Sequence, residues 1–312
     1  MSNSTLDMEK VLILMSTYNG EQYLSEQLDS ILSQEDIEIH LLIRDDGSSD
    51  RTIDIINDYS SQYPDKIDSI FGKNIGWINS FFSLMSIAYD TYSGYRYFAF
   101  SDQDDIWLPR KIKRSLDLLT QLPEGPNLYC SNLIYYRDGH QLGLVRKSNI
   151  KPTFKGCLIR NYATGCTVTF NLNLLEMMVK TLPSIKIAHD YWCYLTAVLC
   201  GNVIIDSQSF TLYRQHQSNQ IGNKSGFFEI WHRRLKSFDK LIGHHDKENL
   251  AKEIIRIYGT SMHEEAKHSV IKLANYRNSL ANKIALLSDS GFSFDKIGSD
   301  FWLKLRIIFG KL

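Results

Sequence analysis

Over the first 120 residues, apolar runs of strand length alternate with amphipathic segments of helix length, and this alternation restricts the fold more than any other feature. "VLILMS" (11–16) is a continuous apolar run ending in a small polar residue, the pattern of a strand buried on both faces. "EQYLSEQLDSILSQ" follows, with Tyr23, Leu24, Leu28, Ile31 and Leu32 at helical spacing. "IEIHLLIRDDGSSD" reads as a second strand running into a turn, and 52–59 as a helix. Residues 67–71 form a third predicted strand, "INSFFSLMSIAY" a helix and "YRYFAFS" (95–101) a fourth strand. Pro109 suits the first turn of a further helix, whose basic "RKIKR" leads into an apolar run. Strand alternating with helix implies an α/β fold, a mostly parallel sheet flanked by helices.

In such sheets ligands bind beyond the carboxyl ends of the strands. "STYNG", "RDDGSSD" and "SDQDD" all fall at those ends, so three polar motifs from separate parts of the chain converge on one edge. Past residue 120 the expected elements are "PNLYCSNLIYYRDG" as strands and a turn, and "GCTVTFN" as a strand. "NLNLLEMMVKTL" and "DYWCYLTAVLCG" read as helices, and "NVIID" and "FTLYRQH" as two more strands. "SNQIGNKSG" (218–226) is a loop by composition, and everything after it reads as helical. The expected organisation is therefore a body over 1–222 and a helical region over 223–312, the latter serving packing, dimerisation or membrane-surface contact.

Charge supports that division. Formal net charge is zero, yet residues 224–312 carry 16 Lys+Arg against 10 Asp+Glu, and the first 223 carry 19 against 25. An acidic body without a basic stripe excludes a nucleic-acid partner. Five scattered cysteines without a CxxC pair, and a polar stretch at 1–10 without a leader pattern, predict reduced thiols in a cytoplasmic compartment. No stretch reaches the roughly 18 uninterrupted apolar residues of a membrane span.

The acidic triplet around Gln103 is the strongest chemical signal. Asp102 and Asp104 can point to one side of a turning segment and offer hard oxygen ligands to Mg²⁺ or Mn²⁺. They can equally cap the next helix, a role that suits Asp105. "RDDGSSD" has the composition of ordinary turn chemistry, and "STYNG" offers backbone donors and a tyrosine for stacking. Arg214 and His216 in "YRQH" lie on one face of a strand, available to a phosphate or simply decorating the surface. Trp77 and Trp107 are expected in the core.

"LMSTYNGEQYLSEQLDSILSQ", "IHLLIRDDGSSDRT", "KNIGWINSFF" and "FAFSDQDDIWLPRKI" together resemble the family 2 glycosyltransferases, which have the GT-A, Rossmann-like fold. "ATGCTVTFN", "HDYWCYLTAV" and "LYRQHQSNQIG" resemble the bacterial rhamnosyltransferase branch, and the resemblance covers about 9–222. It implies that Ser16, Thr17, Tyr18 and Asn19 line a nucleotide pocket, with Asp46 bonded to a uracil or thymine ring. Asn74 and Gly76 would shape the donor site, Asp102 would lie near ribose and metal, and Arg214 would contact the diphosphate. Asp104, with His216, would ligate the Mg²⁺ or Mn²⁺ that bridges the diphosphate. Asp190 matches the catalytic base of an inverting transfer, although His189 stands where the family more often has an acid, and a helix N-cap would also explain Asp190.

The resemblance thus implies a sugar transferase using dTDP-rhamnose or a UDP-sugar and a saccharide or lipid-linked saccharide acceptor. It would work in the cytoplasm or peripherally at the cytoplasmic face of the inner membrane. Two alternatives stand beside it. A nucleotidyltransferase would want a basic, glycine-rich phosphate loop, which "STYNGEQYL" lacks. A catalytically silent nucleotide-sugar-binding partner would not need an intact acidic triplet. At the tail, Phe301, Trp302, Leu305, Ile308, Phe309 and Leu312 share one helical face, with Leu303 and Ile307 off it. That stripe can pack on protein, pair with a second copy or lie on a membrane.

Overall fold

The structure is a computed structural model, and it describes residues 9–146, 151–215, 246–294 and 297–312. In chain order, β1 (Lys10–Thr17), α1 (Leu24–Leu32), β2 (Glu38–Asp45), α2 (Thr52–Gln62), β3 (Ile67–Phe71), α3 (Trp77–Thr91) and β4 (Tyr97–Ser101) realise the expected alternation. There follow β5 (Ile106–Trp107), α4 (Lys111–Leu119), β6 (Asn127–Arg137), β7 (His140–Leu144) and α5 (Phe154–Ile159). A 3-10 turn at Gly165–Thr167 leads into β8 (Val168–Asn171), then α6 (Leu172–Lys180), α7 (His189–Cys200) and β9 (Asn202–Arg214). The remaining described helices are α8 (Asp246–Tyr258), α9 (Glu264–Ala274), α10 (Leu280–Leu287) and α11 (Ile297–Ile308).

Two compact units result, one of 1–151, 162–182 and 187–214, the other of 152–161, 183–186 and 215–312. The second unit thus takes in two short segments from within the stretch assigned by sequence to the body. The sheet belongs to the first unit, in the order β3-β2-β1-β4-β8-β6-β9-β5, with β7 paired to β6. Strands β3, β2, β1 and β4 are parallel, as expected where helices carry the chain back. Beyond β4 the sheet is mixed: β8 runs antiparallel to β4 and β6, and β5 to β9, while β6 and β9 are parallel. The expectation of a mostly parallel sheet is corrected to that extent.

"NVIID" and "FTLYRQH" are not two strands but one, β9. The polar Ser207, Gln208 and Ser209 between them hid this, and Asp206 just before them is a buried, satisfied group. It accepts from Arg114 Nε at 3.0 Å, Tyr129 OH at 3.1 Å and the Gln208 N–H at 3.0 Å.

Register sets the functional edge. Thr17 pairs with Asp45, Met15 with Ser101 and Asp45 with Phe71, so these strands end side by side. Val11 to Met15 are wholly buried, which fixes β1 at the centre of the sheet.

The helical unit is tied by one buried and one half-buried carboxylate. Glu248 binds Arg277 and Lys252, and Asp289 binds Lys155 at 2.8 Å and Lys272 at 2.7 Å. The predicted apolar stripe of the tail does not turn to one side as a unit. Leu303, Ile307 and Leu312 are buried, whereas Phe301, Ile308 and Phe309 are exposed.

Candidate functional site

Two loops at the sheet edge are stitched together before any ligand is considered. The Asn19 N–H donates to Ser48 Oγ (2.9 Å), Gly20 N–H to Thr52 Oγ1 (2.8 Å) and Glu21 N–H to Asp50 Oδ2 (3.1 Å). In return the Ser49 N–H donates to Asn19 Oδ1 (2.9 Å) and the Arg51 N–H to Glu21 Oε2 (2.9 Å). Asn19 adopts φ +47°, a left-handed conformation that asparagine tolerates. Gln103 clasps the Tyr18 backbone at both ends, accepting from its N–H at 2.8 Å and donating to its carbonyl at 3.1 Å. The Tyr18 ring remains 48% exposed, free to stack on a ligand.

The acids after β2 are fully engaged. Asp45 Oδ1 accepts from the Gly47 and Ser48 N–H groups, and Oδ2 from Thr17 Oγ1 and Ser48 Oγ. Asp46 accepts from Arg44 Nη1 at 2.6 Å and from the N–H groups of Ile75 and Gly76 at 2.9 and 2.8 Å. Asp46, expected at a nucleobase, is 2% exposed, and both its oxygens hold the segment after β3. Gly76 there has φ +82°, which favours glycine, and its N–H also reaches Asn74 Oδ1 at 3.2 Å. Asn74 is exposed. Ser16 Oγ donates to Ser80 Oγ at 2.6 Å, and Arg44 Nη1 reaches the same Ser80 Oγ at 3.0 Å.

The acids after β4 have the opposite character. One oxygen each from Asp102 and Asp105 and the Cys166 Sγ lie within 4.8 Å of one another, the one such group among the described residues that could hold a metal ion. Burial, then the charges of Asp105, Asp104 and Asp190, hold the Asp102 carboxyl well above the usual carboxylate range. Burial and the neighbouring Asp104 push Asp105 up to about 7. The Cys166 thiol is itself pushed up, chiefly by burial, so it stays protonated and donates to the carboxylates. Asp104, the ligand expected from the resemblance, lies close enough to raise both neighbours, but its side chain is not among the converging atoms.

Asp105 is not a helix cap. Its Oδ1 accepts from the Arg214 N–H at 3.1 Å across the β5–β9 pairing, a contact that no local pattern announces.

Two cations stand behind this turn. Lys111 is buried, lies 3.7 Å over the Trp107 ring and is drawn down to about 8 by burial, with Cys166 and Asp105 pulling it back up. Arg214 donates from Nε to the Asp104 carbonyl at 2.9 Å, pairs with Glu26, and lies over the Tyr23 ring at 4.6 Å. Arg214, expected at a diphosphate, braces the acidic turn through these contacts. His216 lies outside the described residues. Trp107 is in the core as expected, whereas Trp77 is 43% exposed.

Asp190 sits in the first turn of α7, accepts from the Tyr191 N–H at 2.6 Å and is felt electrostatically at Asp102. Ala188 occupies the cap position, so Asp190 is not the N-cap. His189 is 3% exposed and stacks on Phe81 with centroids 3.8 Å apart, its edge towards Phe100. Neither ring nitrogen has a partner, and burial draws the imidazole down to about 3, so it is a neutral packing group. Gly165 makes room for it, since a Cβ there would meet His189 Nε2 at 3.0 Å and Asp190 Cβ at 3.8 Å.

Arg44, Lys111, Gln103 and Cys166 were not singled out by sequence. A lone arginine ending an apolar strand run and a lysine on the apolar side of α4 were the available signals. Gln103 and Cys166 carried none beyond their place in the motifs.

Known proteins show the same architecture. The dTDP-rhamnosyl transferase RfbG of Shigella flexneri is 34% identical over 222 residues, 68% of this chain and 75% of that protein. Among solved structures, the mannosyltransferase PcManGT of Pyrobaculum calidifontis, in complex with GDP-Man and Mn2+, aligns with TM-score 0.53. Its identity is 13%, over 97% of this chain and 81% of that one. TarS 1-349 of S. aureus, in complex with UDP-GlcNAc, aligns with TM-score 0.50 at 15% identity, over 97% of this chain and 92% of that one. These two likenesses are of the GT-A fold. Residues 12–175 match the family described as Glycosyl transferase family 2, and with that match and the 34% identical relative, this chain belongs to glycosyl transferase family 2.

Proposed function

We propose that this chain moves a sugar from a nucleotide-diphosphate donor to a hydroxyl of a saccharide, with inversion and with a divalent cation at the turn after β4. The observation that carries this reading is the crowding of acids there: oxygens of Asp102 and Asp105 converge with Cys166 Sγ, and burial, then the charge of neighbouring acids, raises both carboxyls. A cation relieves that crowding, and the residues fit one. Two carboxylates with a protonated thiol donating to them suit a hard ion such as Mg²⁺ or Mn²⁺, leaving other positions to water and phosphate oxygens. When bound, the ion would supply charge stabilisation for the departing diphosphate.

The chain's own residues supply the rest. Asp190, partly exposed in the first turn of α7, accepts the proton of the acceptor hydroxyl as its oxygen attacks the anomeric carbon. Exposed Tyr18 and Asn74 meet the nucleotide, on backbone held by Gln103 and Asp46. Ser16, Thr17, Asn19, Gly76 and Arg214 shape that pocket through the bonds described. The name of the 34% identical relative favours rhamnose from dTDP-rhamnose as the sugar. We assign the acceptor to a growing cell-surface polysaccharide or its lipid-linked precursor, modified in the cytoplasm.

Calorimetric titration with dTDP, UDP and GDP, each with and without Mn²⁺, tests this. Metal-dependent binding of dTDP over UDP supports the rhamnose donor, and preference for UDP keeps the reaction but changes the sugar. Donor binding without transfer to any acceptor would mark a silent partner. Absence of binding by folded protein would overturn the reading.

A further inference from the structure

Among the described residues, the C-terminal end of the helical unit exposes several large apolar side chains. On α11 the fold buries Leu303 and Ile307 and turns Phe301 and Ile308 outward at 56% and 50% exposure, followed by Phe309 at 60%. Leu280 and Ile284, one turn apart on α10, are exposed at 74% and 56%. The two groups adjoin. Lys283, next to Ile284, donates from Nζ to the Ile308 carbonyl at 3.4 Å, and a Cβ on Gly310 would lie 3.5 Å from the same nitrogen. Five large apolar side chains on neighbouring elements of one unit form a patch of the kind that marks an interaction surface.

The charges set among them are of one sign. Lys283 lies between Leu280 and Ile284, Lys304 between Phe301 and Ile308, and Lys311 follows Phe309. The carboxylate of α11, Asp300, is turned away into the unit, accepting from Ser293 Oγ at 2.8 Å and the Phe294 N–H at 2.6 Å. Glu248, near Arg277, is 2% exposed and already holds that arginine.

We infer that this face lies on an anionic lipid bilayer. Phe301, Ile308, Phe309, Leu280 and Ile284 enter the headgroup boundary, and Lys283, Lys304 and Lys311 meet lipid phosphates. A second copy docked face to face would set these lysines against their own images, whereas lipid phosphates complement them. Among the described residues no helix is long and apolar enough to cross a membrane, so the contact is parallel to the surface. The inference stands on the helical unit alone and does not depend on the donor, metal or acceptor proposed above.

Co-sedimentation of the full chain with vesicles of phosphatidylcholine, alone or mixed with phosphatidylglycerol, tests it. Binding is expected only to the mixed vesicles and should fall as salt is raised. The pair Phe301→Ser and Phe309→Ser should lower partitioning at least ~10-fold, and Lys283→Gln or Lys304→Gln about fivefold each. Both phenylalanines are exposed, so circular dichroism of the double variant should match wild type. Folded wild-type protein that ignores anionic vesicles, or a double variant that binds them equally well, overturns the inference. Concentration-dependent dimerisation lost in the double variant, without vesicle binding, would instead give this face to a second copy.

Discussion

Two acidic turns stand side by side at the edge of one sheet, and they solve the burial of aspartate in opposite ways. At the end of β2, Asp45 and Asp46 are surrounded by donors, including the 2.6 Å pair with Arg44 and six backbone or hydroxyl contacts within 3.1 Å. After β4, Asp102 and Asp105 are buried beside other acids, and burial first, then those charges, raises their carboxyls. The first turn is complete as it stands. The second is built to receive positive charge. Identical residue types at equivalent strand ends thus take structural or chemical roles according to their partners.

That contrast is easiest to break by neutralising one side of each turn. Asp102→Asn with Asp105→Asn should cut metal-dependent transfer by a factor of ~10² or more while leaving the melting temperature equal or higher, because mutual repulsion is removed. Asp46→Ala should do the reverse to the fold. It strands the buried Arg44 guanidinium, and denaturant unfolding should show a loss of about 3 kcal/mol. If the double variant and Asp46→Ala destabilise alike, the distinction between the turns fails.

Asp190→Asn tests the third acid. Donor binding measured by titration should persist while the transfer rate drops ~10²-fold or more. Loss of donor binding instead would assign Asp190 to the pocket.

His189 sharpens the comparison from the neutral side. Its folded value of about 3 lies below the ordinary histidine value of 6.5, because burial disfavours the charged ring. A depressed value means the unfolded chain takes up a proton that the folded chain refuses. The neutral ring's contribution is therefore intact above pH 6.5 and is lost as pH falls towards 3. About 2 kcal/mol should disappear between pH 7 and pH 5, and His189→Leu should flatten that part of the stability curve. The smallest effect belongs to Gln103→Ala. Loss of the two-ended clasp on Tyr18 should cost about 1 kcal/mol and raise the donor KM more than it changes kcat.

Much of this was legible in the sequence because parallel strands buried on both faces are long apolar words. β1, β2, β3, β4 and the helices between them could be read off, and so could the convergence of their polar ends. What escaped depended on contacts between distant residues. Polar residues 207–209 interrupt the apolar run of β9 next to Asp206, which Arg114, Tyr129 and the Gln208 N–H hold, so one strand read as two. β5 has two residues and exists through its pairing with β9. The family resemblance proposed roles for Asp46, Arg214 and Asp104, yet a motif cannot report that Arg44 or Glu26 already holds a group. In the tail, apolar residues occupy more than one face of α11, and periodicity alone could not say that the smaller set, Leu303 and Ile307, would turn inward.

The stitching of loops 18–21 and 48–52 has a consequence for inheritance. Five hydrogen bonds between them join a side chain in one loop to a backbone N–H in the other, and a sixth runs from Ser49 Oγ to Asn19 Oδ1. Neither loop therefore carries its own shape. A segment exchange that imported "STYNG" from a relative, without the matching "GSSDRT", would bring hydroxyls and amides to partners that are not there. The two stretches form a single transferable cassette, and descendants that alter one should be found to have altered the other.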